Sequence, residues 1–348
     1  MKALKRIVLV LFVFSALAAG AAGWWAWSTY QDFAHAPLAG VETGDNLIVE
    51  RGDTLPRVVQ RLRGQGIAAG RDLEWRLLAR QLATGGHIQV GEYALEPGIT
   101  PTQLLQHMRD GTVVLHRFTI VEGWNIRELR AALARATPLQ QTLLDVDDAA
   151  LMAMLGRDGV HPEGRFLPET YAYDRGDTDL DLLRRAADDL DRTLAAAWDA
   201  RADDLPIDTP EEALVLASIV EKETGIAEER PMIAGVFTRR MRIGMRLQTD
   251  PTVIYGMGSG YDGNIRRRDL LTDTPYNTYT RDGLPPTPIA MVGAHALRAA
   301  TQPEETEALY FVAVGDGSGR HVFSPTLQAH NAAVRQYVRR YRERHGPR

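Results

Sequence analysis

Apolar residues do not recur along this chain with one period, and the changes of period divide it. Lys2, Lys5 and Arg6 precede an uncharged run from Ile7 to Trp27, which as a helix would span roughly 31 Å, about one hydrocarbon core. Trp24, Trp25, Trp27 and Tyr30 cluster at its far end, where amphipathic rings favour a lipid interface. The pattern predicts a membrane anchor over residues 1–30 with a cytoplasmic basic flank, and a body outside the cytoplasm. The alternative is a cleaved signal peptide, since Ala18–Gly23 offers small residues. The apolar run, however, exceeds a usual signal core.

Residues 31–45 hold Pro37, small residues and few bulky apolar groups, and read as a linker. From Asn46 to Val121 the periods alternate. Leu47-Ile48-Val49 predicts a strand, and Val58, Val59 and Leu62 a helix. Leu73, Leu77, Leu78 and Leu82 predict a second helix, Tyr93-Ala94-Leu95 a strand, and Thr100-Pro101 the start of a helix carrying Leu104, Leu105 and Met108. Val113–Val121 reads as a last strand. The strand–helix–helix–strand opening matches a LysM-type glycan-binding unit, and a plain packing module is the alternative. Residues 122–348 then form a mixed α+β domain. A long amphipathic helix carries Leu182, Leu183, Ala186, Leu190 and Leu194, Glu163–Tyr171 reads as an irregular loop, and Tyr310–Val314 with His321–Phe323 reads as a hairpin across a glycine turn. The tail from Arg335 to Arg348 reads as a basic helix end with a solvated face. The expected class is α+β throughout, behind one transmembrane helix.

Composition narrows the chemistry. The 348 residues carry 45% apolar and 24% charged side chains, an ordinary globular balance. With no cysteine, thiolate chemistry and disulfides are excluded. The net charge of −5 becomes −8 once the three cations of the first 30 residues are set aside, so the body lacks the basic footprint of a nucleic-acid binder. Nine histidines show no metal-ligand spacing, and neither His-Glu-x-x-His nor Gly-x-Ser-x-Gly occurs. Neither a metal nor another cofactor is implied. Gly256–Gly260 leads into a turn rather than a helix, so it is no nucleotide fingerprint.

One helix carries a candidate acid. Thr209-Pro210-Glu211-Glu212 has the form of a capping box with proline at the first position, and the helix runs through Leu216, Ile219 and Val220 to Glu221-Lys222-Glu223-Thr224, with Gly225 able to end it. At 100° per residue, Glu223 falls about 20° from Leu216, on the apolar stripe, whereas Glu221 falls about 140° away on the polar side. A carboxyl half buried at a helix C-terminus is doubly disfavoured as an anion, by desolvation and by the negative end of the dipole. It keeps a proton toward neutral pH, as a general acid must. The alternative is a glutamate that reaches solvent at a frayed end. The loops Leu247–Thr252, Pro275–Tyr279 and Gly283–Pro286 add amides, hydroxyls and rings that suit sugars, although Pro and Asn also simply set turns.

At these residues the sequence resembles the YceG-like family of endolytic murein transglycosylases. The carrying stretches are Ala217–Thr224, Arg242–Gly256, Tyr276-Asn277-Thr278-Tyr279 and Gly283-Leu284-Pro285-Pro286; with Glu163–Tyr171 and the anchor they reach over nearly the whole chain. The resemblance implies an inner-membrane, single-pass enzyme with a periplasmic body, a LysM-like subdomain and a catalytic domain. It implies cleavage of the MurNAc–GlcNAc β-1,4 bond within peptidoglycan strands, leaving a 1,6-anhydro-MurNAc end, and peptidoglycan synthases as partners in setting glycan length. The family's essential glutamate falls on Glu223. Such a reaction requires one carboxyl where a glycosidase uses two, because the sugar's own C6 hydroxyl attacks C1. Gln248, Tyr276, Asn277 and Glu221 are then the expected substrate-binding residues. A non-catalytic peptidoglycan-binding scaffold and a hydrolytic muramidase are the competing functions.

Overall fold

The computed structural model describes residues 2–346 apart from 69 and 85–87. Met1, at the head of the expected anchor, and residues 347–348 of the basic tail lie outside the described residues. The chain divides into two compact units: residues 1–116 with 173–176, and 117–172 with 177–348.

The first unit opens with α1 (Lys2–His35), a helix long and apolar enough to cross a membrane. It does not stop at the tryptophans. Its last turns continue into the unit's core, where Ala34 is buried, Phe33 meets Trp75 edge-on at 5.4 Å, and the Ala34 carbonyl accepts from Thr102 Oγ1 at 2.7 Å. Leu38 is also buried, and its N–H donates to the Ile99 carbonyl at 2.8 Å. Residues 31–45, expected as a linker, are therefore packed chain. Buried apolar side chains on both sides of Pro37 leave no slack.

Next come β1 (Asp45–Val49), α2 (Leu55–Gly64), α3 (Asp72–Gln81), β2 (Gly91–Leu95) and α4 (Pro101–Asp110). The two strands pair antiparallel with Leu47 opposite Tyr93. Alternation along them sends Leu47, Val49, Tyr93 and Leu95 into a core shared with Val58, Leu62, Leu78, Leu104 and Met108. On α3 the buried stripe is Trp75, Leu78 and Ala79; Leu73 points outward at 65% exposure, and Leu77 is also exposed. The leucine spacing identified the helix and misplaced its inner face, because Trp75, half a turn from Leu73 and Leu77, takes the core position. Buried Glu92 explains why residues 173–176 belong here: its carboxylate accepts from Arg175 at 2.9 Å and meets His116 at 3.2 Å.

The second unit is mostly helical. The strand pair β3 (His116–Thr119) and β4 (Thr170–Tyr173) flanks α5 (Ile126–Leu133) and α6 (Asp148–Met154) in sequence. The expected strand over Val113–Val121 is only the short β3. Then follow α7 (Asp179–Asp199), α8 (Pro210–Glu223), a 3₁₀ turn at Ala227–Glu229, α9 (Arg230–Arg242), α10 (Asp250–Met257), a second 3₁₀ turn at Gly258–Gly260, α11 (Arg267–Leu271) and α12 (Ala294–Thr301). The hairpin β5 (Tyr310–Ala313) and β6 (His321–Ser324) precedes α13 (Leu327–His345). Leu182, Leu183, Ala186, Leu190 and Leu194 of α7 are all buried, as their spacing predicts.

At the centre lies α8. Thr209 caps it, its Oγ1 accepting from Glu212 N at 3.2 Å while the Glu212 carboxylate accepts from Thr209 N at 3.2 Å. Every residue from Ala213 to Glu221 is buried, so the helix has no solvated face over that stretch. It is surrounded by α7, α9, α10 and α12. Close approach elsewhere depends on glycine. A Cβ at Gly235, on α9, would overlap the Glu304 carbonyl oxygen and come within 3.1 Å of Thr306 Cγ2. Gly235→Ala should therefore destabilise by about 1–3 kcal/mol through overpacking, although alanine in a free helix would gain about 1 kcal/mol. Thermal unfolding checks this: the midpoint should fall by several degrees, and an unchanged or raised midpoint would mean that α9 has room.

Candidate active site

Where α8 ends, the backbone turns extended at Thr224 (φ −146°), so the helix stops before Gly225 and without a left-handed glycine cap. Glu223 is its last residue. The carboxyl lines a groove of about 390 Å³ together with Arg240 of α9, Gln248, Thr249 and Asp250 at the start of α10, Tyr279, and Tyr310 and His330 from the hairpin and α13.

Two neighbours address the acid directly. Thr249 Oγ1 donates a hydrogen bond to Glu223 Oε1, and Asp250, one residue on, brings a like charge. Asp250 itself accepts from the Tyr279 hydroxyl at 2.6 Å. Burial dominates and pushes the Glu223 carboxyl up to about 7; the Thr249 bond opposes it, Asp250 adds to it, and the Arg240 cation opposes it. The acid is thus close to half protonated at neutral pH, the condition for giving and retaking a proton.

Of the residues expected around it, Gln248 reaches the groove. It is exposed and held at φ +48°, a left-handed conformation unusual for a side chain of this kind, with its N–H donating to the Thr278 carbonyl at 3.2 Å. The other three are placed elsewhere. Glu221 is not on a polar side of α8, because α8 has none there. Its side chain is 3% exposed, accepts from Arg230 at 2.7 Å and takes the Gly293 N–H at 3.0 Å; Arg230 also reaches Glu122 at 3.0 Å. The wheel argument failed for Glu221 because a periodic pattern cannot see a partner such as Arg230 arriving from another helix. Asn277 is buried, and its amide donates to the carbonyls of Asp269, Leu270 and Thr272, which closes its own loop. Tyr276 packs edge-on against Tyr255 at 4.8 Å, and its hydroxyl meets Thr287 Oγ1 at 2.8 Å.

Tyr255 leads to a residue that sequence reasoning missed. Glu163 is wholly buried; its two carboxylate oxygens accept from Ile126 N at 3.1 and 3.2 Å, and the Tyr255 hydroxyl nearby favours its anion. Desolvation pushes this second carboxyl up to about 7 as well. It does not line the groove of Glu223; by accepting the Ile126 N–H it anchors the start of α5. Arg240, Tyr310 and His330 were missed too, because each is an ordinary residue of a helix or strand until folding gathers them. Among the described residues no cluster of His, Asp and Glu could hold a metal ion.

The opposing neighbours give a test of sign. A general acid loses activity as pH rises through its pKa. Thr249→Val removes a bond to the charged form and should move that limb of the pH–rate profile upward; Asp250→Asn removes a repulsion and should move it downward. Shifts in one direction for both would contradict this electrostatic picture. Stability supplies a second test. The folded carboxyl titrates near 7 against an ordinary 4.5, so the folded state holds the extra proton between those values and stability falls as pH rises through them. Glu223→Gln should stabilise by up to about 3 kcal/mol at pH 8 and by little near pH 4, read from denaturation at the two pH values.

Comparison with known proteins matches this geometry to a family. A model of the YceG-like family fits residues 47–336. A Bacillus subtilis (strain 168) protein named endolytic murein transglycosylase is 32% identical over 267 residues, 72% of this chain and 73% of its own length. A protein of the same name from Streptococcus pneumoniae serotype 2 is 25% identical over 284 residues, again 72% of this chain but only 51% of the pneumococcal one. A crystal structure of a yceG-like protein from Listeria monocytogenes shares 26% identity with a TM-score of 0.52, covering 83% of this chain and 98% of that one. The chain belongs to the YceG-like family and is a lytic transglycosylase.

Proposed function

We propose that this chain is an endolytic peptidoglycan transglycosylase, tethered by α1, that cuts the MurNAc–GlcNAc β-1,4 bond and leaves a 1,6-anhydro-MurNAc end. The observation that carries the reading is Glu223 itself: a carboxyl lining an open groove and titrating near neutrality. Its proton passes to the glycosidic oxygen as the C1–O bond breaks. The C6 hydroxyl oxygen of the same MurNAc then bonds to C1, and its proton returns to the Glu223 carboxylate. One residue serves both steps, and no water enters the balance. Holding the hydroxyl over C1 is an intramolecular advantage that the groove needs only to preserve by fixing the sugar. Gln248, at the mouth of the groove, is the expected hydrogen-bonding contact to the glycan.

A hydrolytic muramidase is the second reading, and Asp250 is the observation that favours it. Among the described residues it is the one other carboxylate lining the groove, and a water-activating base is what a hydrolase adds. In the first unit, the order β1–α2–α3–β2 with its antiparallel pair supports a LysM-like glycan-binding role. The positive flank of α1 supports a cytoplasmic N-terminus and a periplasmic body. A strand-cutting enzyme tethered at that surface would act beside the peptidoglycan synthases and limit the length of their glycans.

Digestion of purified sacculi by the full chain, with mass spectrometry of the products, decides between these functions. Muropeptides one water lighter than reducing-end products are expected, and Glu223→Gln should lower their yield by at least about 10²-fold while the protein still folds. Reducing MurNAc ends would establish the muramidase instead, and a fully active Glu223→Gln enzyme would remove Glu223 from the chemistry.

A further inference from the structure

Besides the acid, the groove contains a cluster that the cleavage step does not use. Arg240, Tyr310 and His330 come from α9, β5 and α13 and gather on one ring. The Arg240 guanidinium carbon lies 5.4 Å from the Tyr310 ring centre, and the His330 imidazole stacks on the same ring at 5.2 Å with 25° between planes. Both polar groups are under-used. Arg240 is 6% exposed, yet among the described residues no carboxylate lies within ion-pair distance of it. Its Nε donates to the Leu309 carbonyl at 2.7 Å and one terminal nitrogen to that of Leu247. A guanidinium has five N–H donors, so the other terminal nitrogen is left over.

His330 Nδ1 is buried without a hydrogen-bond partner. The other such side-chain atoms among the described residues belong to Gln141, Arg230, Arg239 and Thr274, none of which lines the Glu223 groove. A buried polar atom left unpaired in the free protein is destabilising, which points to a partner that arrives with a ligand. Burial and the neighbouring Arg240 cation both hold His330 below its ordinary value, which favours the neutral ring; with its proton on Nε2, Nδ1 is the acceptor.

A spare donor and a spare acceptor that share the Tyr310 ring are the complement of a secondary amide. An anion fits less well, because Asp250 already faces the same space and Glu223 becomes negative during the reaction. Phe237, Phe311 and Leu327 supply apolar wall for an attached methyl or side chain. We propose that Arg240, Tyr310 and His330 form a subsite for a neutral secondary amide of the substrate, with Arg240 donating to its carbonyl oxygen and His330 Nδ1 accepting its N–H. This rests on the peptidoglycan reading and refines it: the amide is either the 2-acetamido group of a sugar or the first peptide bond of a stem. Asn277, expected among the substrate-binding residues, does not serve here, because its own amide is engaged in its loop.

Binding by the full chain carrying Glu223→Gln, so that nothing turns over, tests the subsite by calorimetry. The probes are chitotetraose, cellotetraose (hydroxyl in place of acetamido) and N-acetyl-L-Ala-D-Glu. Chitotetraose should bind roughly tenfold or more tightly than cellotetraose. His330→Phe, which keeps the stacking ring and removes the nitrogen, should weaken chitotetraose about 3- to 10-fold and leave cellotetraose unchanged, with His330→Asn recovering part of the loss. If the dipeptide binds and is the probe that His330→Phe weakens, the amide belongs to the stem and the subsite stands. Should His330→Phe, at an unchanged unfolding midpoint, bind all three probes as the parent does, or should the parent bind none, the subsite is wrong. Sacculus digestion by the chain with Glu223 intact separates the two claims: digestion with no loss in His330→Phe leaves the function and removes the subsite, whereas amide-selective binding without digestion does the reverse.

Discussion

A carboxyl placed where water is scarce either finds a counter-charge or keeps its proton, and α8 carries one of each kind two residues apart. Glu221 meets Arg230 and the Gly293 N–H, and so remains a fixed part of the helix's surroundings. Among the described residues Glu223 meets no cation within ion-pair distance, only the Thr249 hydroxyl, a like charge at Asp250 and a more distant Arg240. The same helix end thus supplies an anchored ion pair and a mobile proton. Exchange of those two environments would give a rigid helix with no acid in the groove.

The rest of the second unit can be read as support for that difference. Burial of α8 by α7, α9, α10 and α12 removes water from its sides, and the extended break at Thr224 frees the last carboxyl to face the groove. Pro251 in the first turn of α10 suits that helix's start, so Thr249 and Asp250 are presented to Glu223 by a short rigid element. The hairpin and α13 close the remaining wall with Tyr310, Phe311 and His330. Tight approach at Gly235 keeps α9, and with it Arg240, close to the segment after α12.

How much of this was legible beforehand depended on how local the cause was. The cap at Thr209, the span of α8, the leucine face of α7 and the β5–β6 hairpin follow from neighbours in sequence, and they were readable. Glu223 was readable because its position on the helix, more than its partners, decides its burial. Glu221 was misread, since Arg230 and Gly293 reach it from other elements. Asn277 and Tyr276 were identified as polar loop residues, but nothing local distinguishes an amide that closes its own loop from one offered to a ligand. Residues 31–45 looked like slack because they offer few bulky apolar side chains, yet Leu38 is buried in the core and Phe33 and Val41 pack against it. Glu163 and the Arg240–Tyr310–His330 cluster left no periodic or motif signal, as each is assembled from segments far apart in the chain.

Catalysis by a single carboxyl requires that Glu223 hold its proton to about neutral pH in the folded protein. Isotope labelling of glutamate side-chain carboxyls, with Glu223→Gln to assign the resonance, reads that titration directly by carbon NMR. A midpoint near 7 is expected for this one carboxyl. A midpoint near the ordinary glutamate value of 4.5 would show that the groove holds an anion at neutral pH, and the acid step as described here would fail.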